Sequence, residues 1–351
     1  MTTAHPWEGT IPTPDEAAAE AARAHQLRLT KPPGSLGRLE EAAIRLAGQQ
    51  ATATPAVDRV VVTVFAADHG VCAEGVSAFP QEVTGQMVRN FASGGAAISV
   101  LCREFGAALD VVNVGTVSPL PAMDGVLDAT VAPGTANLAR EPAMTPDQRD
   151  AALMVGDAAA ARAAEGGAEL FIAGDMGIGN TTSAAAVACA LLDMPPGVLV
   201  GRGTGVDDAG LVRKRDAVAA GLARHTGDRT PLSVLASLGG LEIAAIAGAI
   251  RGAADRGLPV LVDGFIVSVA ALVAVRHTPQ VVDWLHFAHR SREAGHDNVL
   301  GAMDARPLLD LDMRLGEGSG AAVALPLLRS ACAIQRDMAT FEDSGVSDGG
   351  H

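Results

Sequence analysis

The run Val60-Val-Val-Thr-Val-Phe-Ala-Ala67 constrains this chain more than any other segment. It is β-branched and apolar on odd and even positions alike, so neither face of a strand built from it can meet water. Strands buried on both faces belong to parallel sheets with helices on each side. Similar runs follow at Leu109–Val114, Leu170–Ala173, Val198–Val200 and Val260–Val262. Ala-rich segments of helical spacing lie between them: Val83–Arg89 running on toward Glu104, Asp147–Glu165, Thr182–Leu192, Asp207–Thr226 and Pro231–Arg256. The alternation predicts an α/β fold, a Rossmann-like parallel sheet flanked by helices.

The chain ends read differently. Residues 14–30 predict a helix with acidic residues in its first turn, Lys31-Pro-Pro-Gly-Ser-Leu-Gly37 breaks it, and Arg38–Gln50 resumes helical periodicity. After Asp283 come short helical pieces without β-branched runs. With 351 residues, more than a usual single domain, the expectation is an α/β domain over 56–285. A small helical domain then forms from 1–55 plus 286–351. The tail Asp343–His351 is polar and Gly/Ser-rich and is expected to fray.

Composition excludes several classes of partner. A net charge of −14 argues against nucleic acid or an anionic membrane surface, which need clustered Lys and Arg. It leaves room for a small phosphorylated substrate. There is no Tyr, and only Trp7 and Trp284, so base-stacking platforms are not expected. Cys72, Cys102, Cys189 and Cys332 lie far apart without a CxxC pair, fitting reduced thiols rather than disulfides or zinc. Residues 1–8 lack the pattern of a signal peptide. The most apolar window, Val260–Val275, is too short to span a bilayer and is broken by Asp263 and Gly264. A soluble cytoplasmic protein without metal or cofactor is expected.

Three loops carry chemistry. Gly174-Asp-Met-Gly-Ile-Gly-Asn-Thr-Thr182 follows a strand and opens a helix, where backbone N–H groups and hydroxyls cradle a phosphate. It has neither the Walker A nor the GxGxxG spacing. The same sequence also serves as a tight β–α turn with Asn180 or Thr181 as N-cap. Gly201-Arg-Gly-Thr-Gly205 is a second loop of this kind; Lys214 downstream either reaches a phosphate or joins a solvated face with Arg213 and Arg215. Arg314-Leu-Gly-Glu-Gly-Ser-Gly320 sets the carboxylate of Glu317 between a cation and bare backbone, ahead of the apolar segment Ala321–Leu328. It reads as a site for moving one proton or as a solvated Arg–Glu pair. Asp68-His69-Gly70 reads as loop-ordering, since no metal-ligand spacing accompanies it. Ser291 lacks a nucleophile elbow and reads as a hydroxyl donor to a phosphate or sugar.

Lys31-Pro-Pro-Gly-Ser-Leu-Gly-Arg-Leu-Glu40, Ala67-Asp-His-Gly-Val71, the 174–182 loop, Asp263-Gly-Phe265 and Arg314–Gly320 occur in this order over most of the chain. Together they resemble the nicotinate-nucleotide–dimethylbenzimidazole phosphoribosyltransferases. The resemblance implies the same two-part architecture, a homodimer, and transfer of 5-phosphoribose from nicotinate mononucleotide to 5,6-dimethylbenzimidazole, giving α-ribazole 5′-phosphate. It implies Glu317 as general base. It implies Gly177, Asn180, Thr181, Gly203, Thr204, Lys214, Ser291, Arg314 and Gly316 around the phosphoribosyl group. Phe79, Gln86, Met87, Asp175, Met176 and Leu315 would line the acceptor pocket.

Two positions depart from the pattern. Asp175 stands where many family members carry Glu, and Phe79 where the enterobacterial type has Ser. Alternative readings are transfer to another acceptor (adenine, a substituted benzimidazole or a phenol) and a non-catalytic nucleotide sensor. A dehydrogenase ranks third, because the glycine loops lack the dinucleotide spacing and the ribose-binding acid.

Overall fold

The computed structural model describes residues 7, 9–203 and 205–347. Among these, six strands form one sheet: β1 (Val60–Ala67), β2 (Ala108–Gly115), β3 (Val126–Asp128), β4 (Leu170–Met176), β5 (Val260–Val262) and β6 (Leu285–Phe287). The order across it is β3-β2-β1-β4-β5-β6, with every neighbouring pair parallel. The chain winds outward from β1 on one side and from β4 on the other. Such a reversal opens a crevice beyond the carboxyl ends of the two central strands.

Before β4 run α1 (Glu16–Arg28), α2 (Arg38–Gln49), α3 (Glu82–Ala92), α4 (Ala97–Phe105) and α5 (Pro146–Glu165). Between β4 and β5 lie α6 (Asn180–Leu192), α7 (Pro196–Leu199), α8 (Asp208–Arg224), α9 (Pro231–Leu238) and α10 (Leu241–Asp255). After β5 come α11 (Phe265–His277), α12 (His296–Gly301), α13 (Ser319–Asp337) and α14 (Phe341–Ser344).

The apolar strands are divided between two cores by their pleat. Val60, Val62, Val64 and Ala66 of β1 and Leu170 and Ile172 of β4 enter one, packed under α2, α3, α4 and α13. Phe65, Ala67, Phe171 and Ala173 enter the other, under α5, α6 and α8 to α12. The two ends of the chain meet on the first face, where the buried Gln26 Nε2 donates to Gln335 Oε1 at 2.6 Å. Among the described residues, no helix is long and apolar enough to cross a membrane.

Several local expectations are corrected. Val198–Val200 is not a strand: Pro195 and Pro196 start a single helical turn, α7, and the Val200 N–H returns to the Pro196 carbonyl. The expected long helix over 231–256 is two, interrupted at Gly239-Gly240, and the one running toward Glu104 is also two, interrupted at Gly94-Gly95. β3 and β6 are three-residue edge strands that show no β-branched run. The signal-peptide reading of residues 1–8 and the end of the fraying tail fall largely outside the described residues.

Candidate active site

The carboxyl ends of β1, β4, β5 and β6 deliver Asp68-His69, Asp175–Asn180, Asp263-Gly264 and His289–Ser291 to one edge of the sheet. A cleft of about 290 Å³ opens there. It is lined by Phe79, Met87, Asp175, Met176, Gly177, Asn180, Thr181, Gly203, Ser291, Arg314, Leu315, Gly316 and Glu317, thirteen of the expected site residues. Gln86 is instead exposed on α3. Lys214 is buried behind Thr181, and Thr204 lies outside the described residues. The cleft also takes in Val83, Ile178, Gly264, Phe265, Ile266, His289 and Glu293, which the motifs did not single out as site residues. Only the strand-end position of Asp263-Gly-Phe265 and of His289-Arg-Ser291 could have pointed to some of them.

One end of the cleft carries a helix start and two cationic side chains nearby. α6 begins at Asn180 with Gly179 as cap, so Asn180 and Thr181 occupy its first turn. Neither is an N-cap. The Asn180 side chain turns back and donates from Nδ2 to Asp175 Oδ2 at 3.1 Å. The Asn180 and Thr182 N–H groups already donate to the Gly177 and Gly179 carbonyls at 3.0 Å each, so it is the dipole of the helix start that brings partial positive charge into the cleft. Lys214 Nζ donates to Thr181 Oγ1 at 2.8 Å, so the second loop reaches the first by packing of α8 on α6 rather than by following a strand. Burial pushes the lysine down to about 8, against the opposing charge of Glu293. Arg314 Nη1 donates to the Gly203 carbonyl at 2.9 Å, joining two loops across the cleft.

The other end is acidic. Glu317 is 6% exposed and is not the solvated partner of Arg314. Its backbone is left-handed (φ 66°) between Gly316 (φ 83°) and Gly318 (φ 89°). Holding a non-glycine residue there costs about 1–3 kcal/mol. Packing on β4 supports the turn: a Cβ at Gly174 would lie 2.2 Å from the Glu317 carbonyl oxygen, so only glycine lets the loop settle on the strand. The Glu317 carboxylate faces the start of α4, with Oε2 3.4 Å from the Ile98 N–H. Burial, first, and the charge of Asp263 raise its pKa, while the Ile98 N–H opposes them. Asp175, 6% exposed, is pushed well above the carboxylate range by burial and then by Asp263, Glu242 and Glu317.

Asp68 and His69 order the surroundings. Asp68 Oδ2 accepts the Val117 N–H at 2.9 Å. The fully buried His69 lies between Ser183 Oγ at 2.9 Å and Glu242 Oε1 at 2.7 Å.

A doubly wound sheet that receives its ligand outside the strand ends is the architecture of nucleotide-handling α/β proteins, and this chain is one of them. The phosphoribosyltransferase family model matches residues 11–346. The nicotinate-nucleotide–dimethylbenzimidazole phosphoribosyltransferase of Xanthomonas oryzae pv. oryzae (strain PXO99A) is 56% identical over 340 residues, 97% of this chain and 98% of that protein. The protein of the same name from Pseudomonas putida is 56% identical over 344 residues, with equal coverage. The crystal structure of CobT from Thermus thermophilus, 53% identical, covers 95% of this chain and all of that one at a TM-score of 0.92. The chain belongs to the nicotinate-nucleotide–dimethylbenzimidazole phosphoribosyltransferase family.

Proposed function

We propose that the protein transfers the 5-phosphoribosyl group of nicotinate mononucleotide to 5,6-dimethylbenzimidazole, releasing nicotinate and α-ribazole 5′-phosphate. One observation carries the reading: a buried carboxylate and an anion-ready helix start share a single cleft, in a chain 56% identical to proteins of that name. The phosphate lies at the start of α6 against Gly177, Asn180, Thr181, Gly203 and Ser291, with Lys214 as cation and Arg314 and Gly316 alongside. The acceptor lies against Phe79, Met87, Met176 and Leu315, which are apolar and suit a methylated ring. Gln86, exposed on α3, does not line the cleft.

Glu317 removes the benzimidazole N–H proton as the ring nitrogen bonds to the anomeric carbon. The bond to the pyridinium nitrogen breaks, and its electron pair leaves with nicotinate. That leaving group is already cationic at nitrogen and requires no acid, so one base is sufficient. The carboxylate also stabilises oxocarbenium character as it develops. Inversion from β-nucleotide to α-product places the acceptor on the face opposite nicotinate. Holding both substrates in line contributes at most about 7–11 kcal/mol.

Residues 1–55 with 286–351, apart from His286 and Phe287 in β6, make the helical unit beside the α/β body of 56–285, supported by the union of α1, α2 and α13. Two copies form the working molecule, on the family resemblance. The cytoplasm suits four free thiols. The test is to incubate the protein with nicotinate mononucleotide and dimethylbenzimidazole. Nicotinate and α-ribazole phosphate should appear in equal amounts. Nucleotide binding without nicotinate release would overturn the assignment in favour of a sensor, and competition between two acceptors reports the preference set by the Phe79 side.

A further inference from the structure

Glu317 cannot hold its aim alone. Its left-handed turn opens α13, and Gly318, the N-cap residue, has no side chain with which to cap it. The acceptor comes from elsewhere. Asp263, at the carboxyl end of β5 and 1% exposed, accepts the Gly318 N–H on Oδ2 at 3.2 Å and the Ala321 N–H on Oδ1 at 2.8 Å. Both oxygens are thus used as acceptors, the arrangement an ionised carboxylate satisfies best. A second brace lies within the turn, where Ser319 Oγ donates to the Gly316 carbonyl at 2.6 Å.

We propose that Asp263 is a positioning residue: by capping α13 from the adjacent strand end, it holds Glu317 in the left-handed conformation that aims its carboxylate into the cleft. This rests on the reading of Glu317 as the base. Asp263 does not line the cleft and acts through the backbone of residues 318–321. The geometry ties the base to the rigid sheet rather than to a free loop, which preorganisation requires.

The charge of Asp263 has a second consequence. It raises the pKa of Glu317, after burial, so removing it lowers the pH at which the base protonates. The other titratable or charged groups facing the turn are Asp175 from β4, His289 after β6 and Arg314 on the same loop. His289 Nδ1 lies 3.7 Å from Asp263 Oδ1, beyond hydrogen-bond reach, and has no hydrogen-bond partner among the described residues.

Asp263→Asn is the test. It keeps the shape, but its amide nitrogen must face one backbone N–H, donor against donor, and frees that end of the turn. With nicotinate mononucleotide and dimethylbenzimidazole as substrates, kcat should fall about 10- to 100-fold, as a misplaced base does. KM for the nucleotide should stay within about threefold, because the start of α6 is untouched. The acid limb of the kcat profile should move to lower pH. A folded variant with wild-type kcat and an unmoved limb overturns the proposal, as does one in which KM rises as far as kcat falls. Should Asp263→Asn not fold, Ser319→Ala removes the other brace and should lower kcat several-fold at constant KM. An unchanged kcat there overturns the proposal. Wild-type activity in Glu317→Gln would instead sink the underlying assignment of the base, so the two failures are separable.

Discussion

Replacing Glu317 by Gln removes the proton acceptor and almost nothing else. The amide is isosteric, and its oxygen can still face the Ile98 N–H, an interaction already long at 3.4 Å. Loss of a positioned general base lowers turnover about 10²- to 10⁴-fold, which corresponds to about 2.7–5.5 kcal/mol in the barrier. Stability should move the other way. Burial and the Asp263 charge raise the carboxyl pKa, so the folded chain holds that proton more tightly than the unfolded chain. Stability from such a group is present below the unfolded pKa and is lost as pH rises through the folded one. At neutral pH the variant therefore sheds an unfavourable buried charge, and its Tm should equal or exceed that of the wild type. The assay is single-turnover release of nicotinate, with KM for nicotinate mononucleotide and a thermal melt on the same preparation. A kcat within about threefold of wild type would refute the base, and a loss of activity accompanied by a lower Tm would make the residue structural.

Lys214, held near 8 by burial, should carry its charge below that pH and lose it above. KM for the nucleotide should then be flat below pH 8 and climb above it, approaching about tenfold per unit, while Lys214→Met should show a high KM without that rise. Gly174→Ala places a Cβ 2.2 Å from the Glu317 carbonyl. It should destabilise the fold by about 1–3 kcal/mol, read by denaturant melts, and lower kcat as well. Asp175→Asn replaces a carboxyl whose pKa is raised by burial and then by neighbouring carboxylates with an amide of equal size, so it should reduce kcat far less than Glu317→Gln in parallel assays.

The central part of the fold was legible because its signals are local. Val60–Ala67 announces itself by β-branching on both faces, Leu170–Ala173 by being apolar on both, and α1, α2, α5 and α8 by their spacing. Where a signal is short the reading failed. Val198–Val200 has the composition of a strand but follows two prolines that start a turn, while Leu285–Phe287 lacks β-branching and is a strand because an edge position awaits it. Thirteen of the residues singled out in the sequence line one cleft. Val83, Ile266 and Glu293 entered it unannounced, and Gln86 stayed outside.

From its own sequence this chain determined a parallel α/β sheet, two glycine loops suited to a phosphate, and a carboxylate set among glycines. Composition and spacing act over a few residues, and that is enough for elements and loops. Tertiary structure decided the rest. It buried Glu317 rather than leaving it paired to Arg314, brought Lys214 behind Thr181, and set Asp263 beneath the turn at 318–321. Those partners lie dozens of positions apart, and only the winding of the sheet, which turns strand ends toward one crevice, brings them within hydrogen-bond distance.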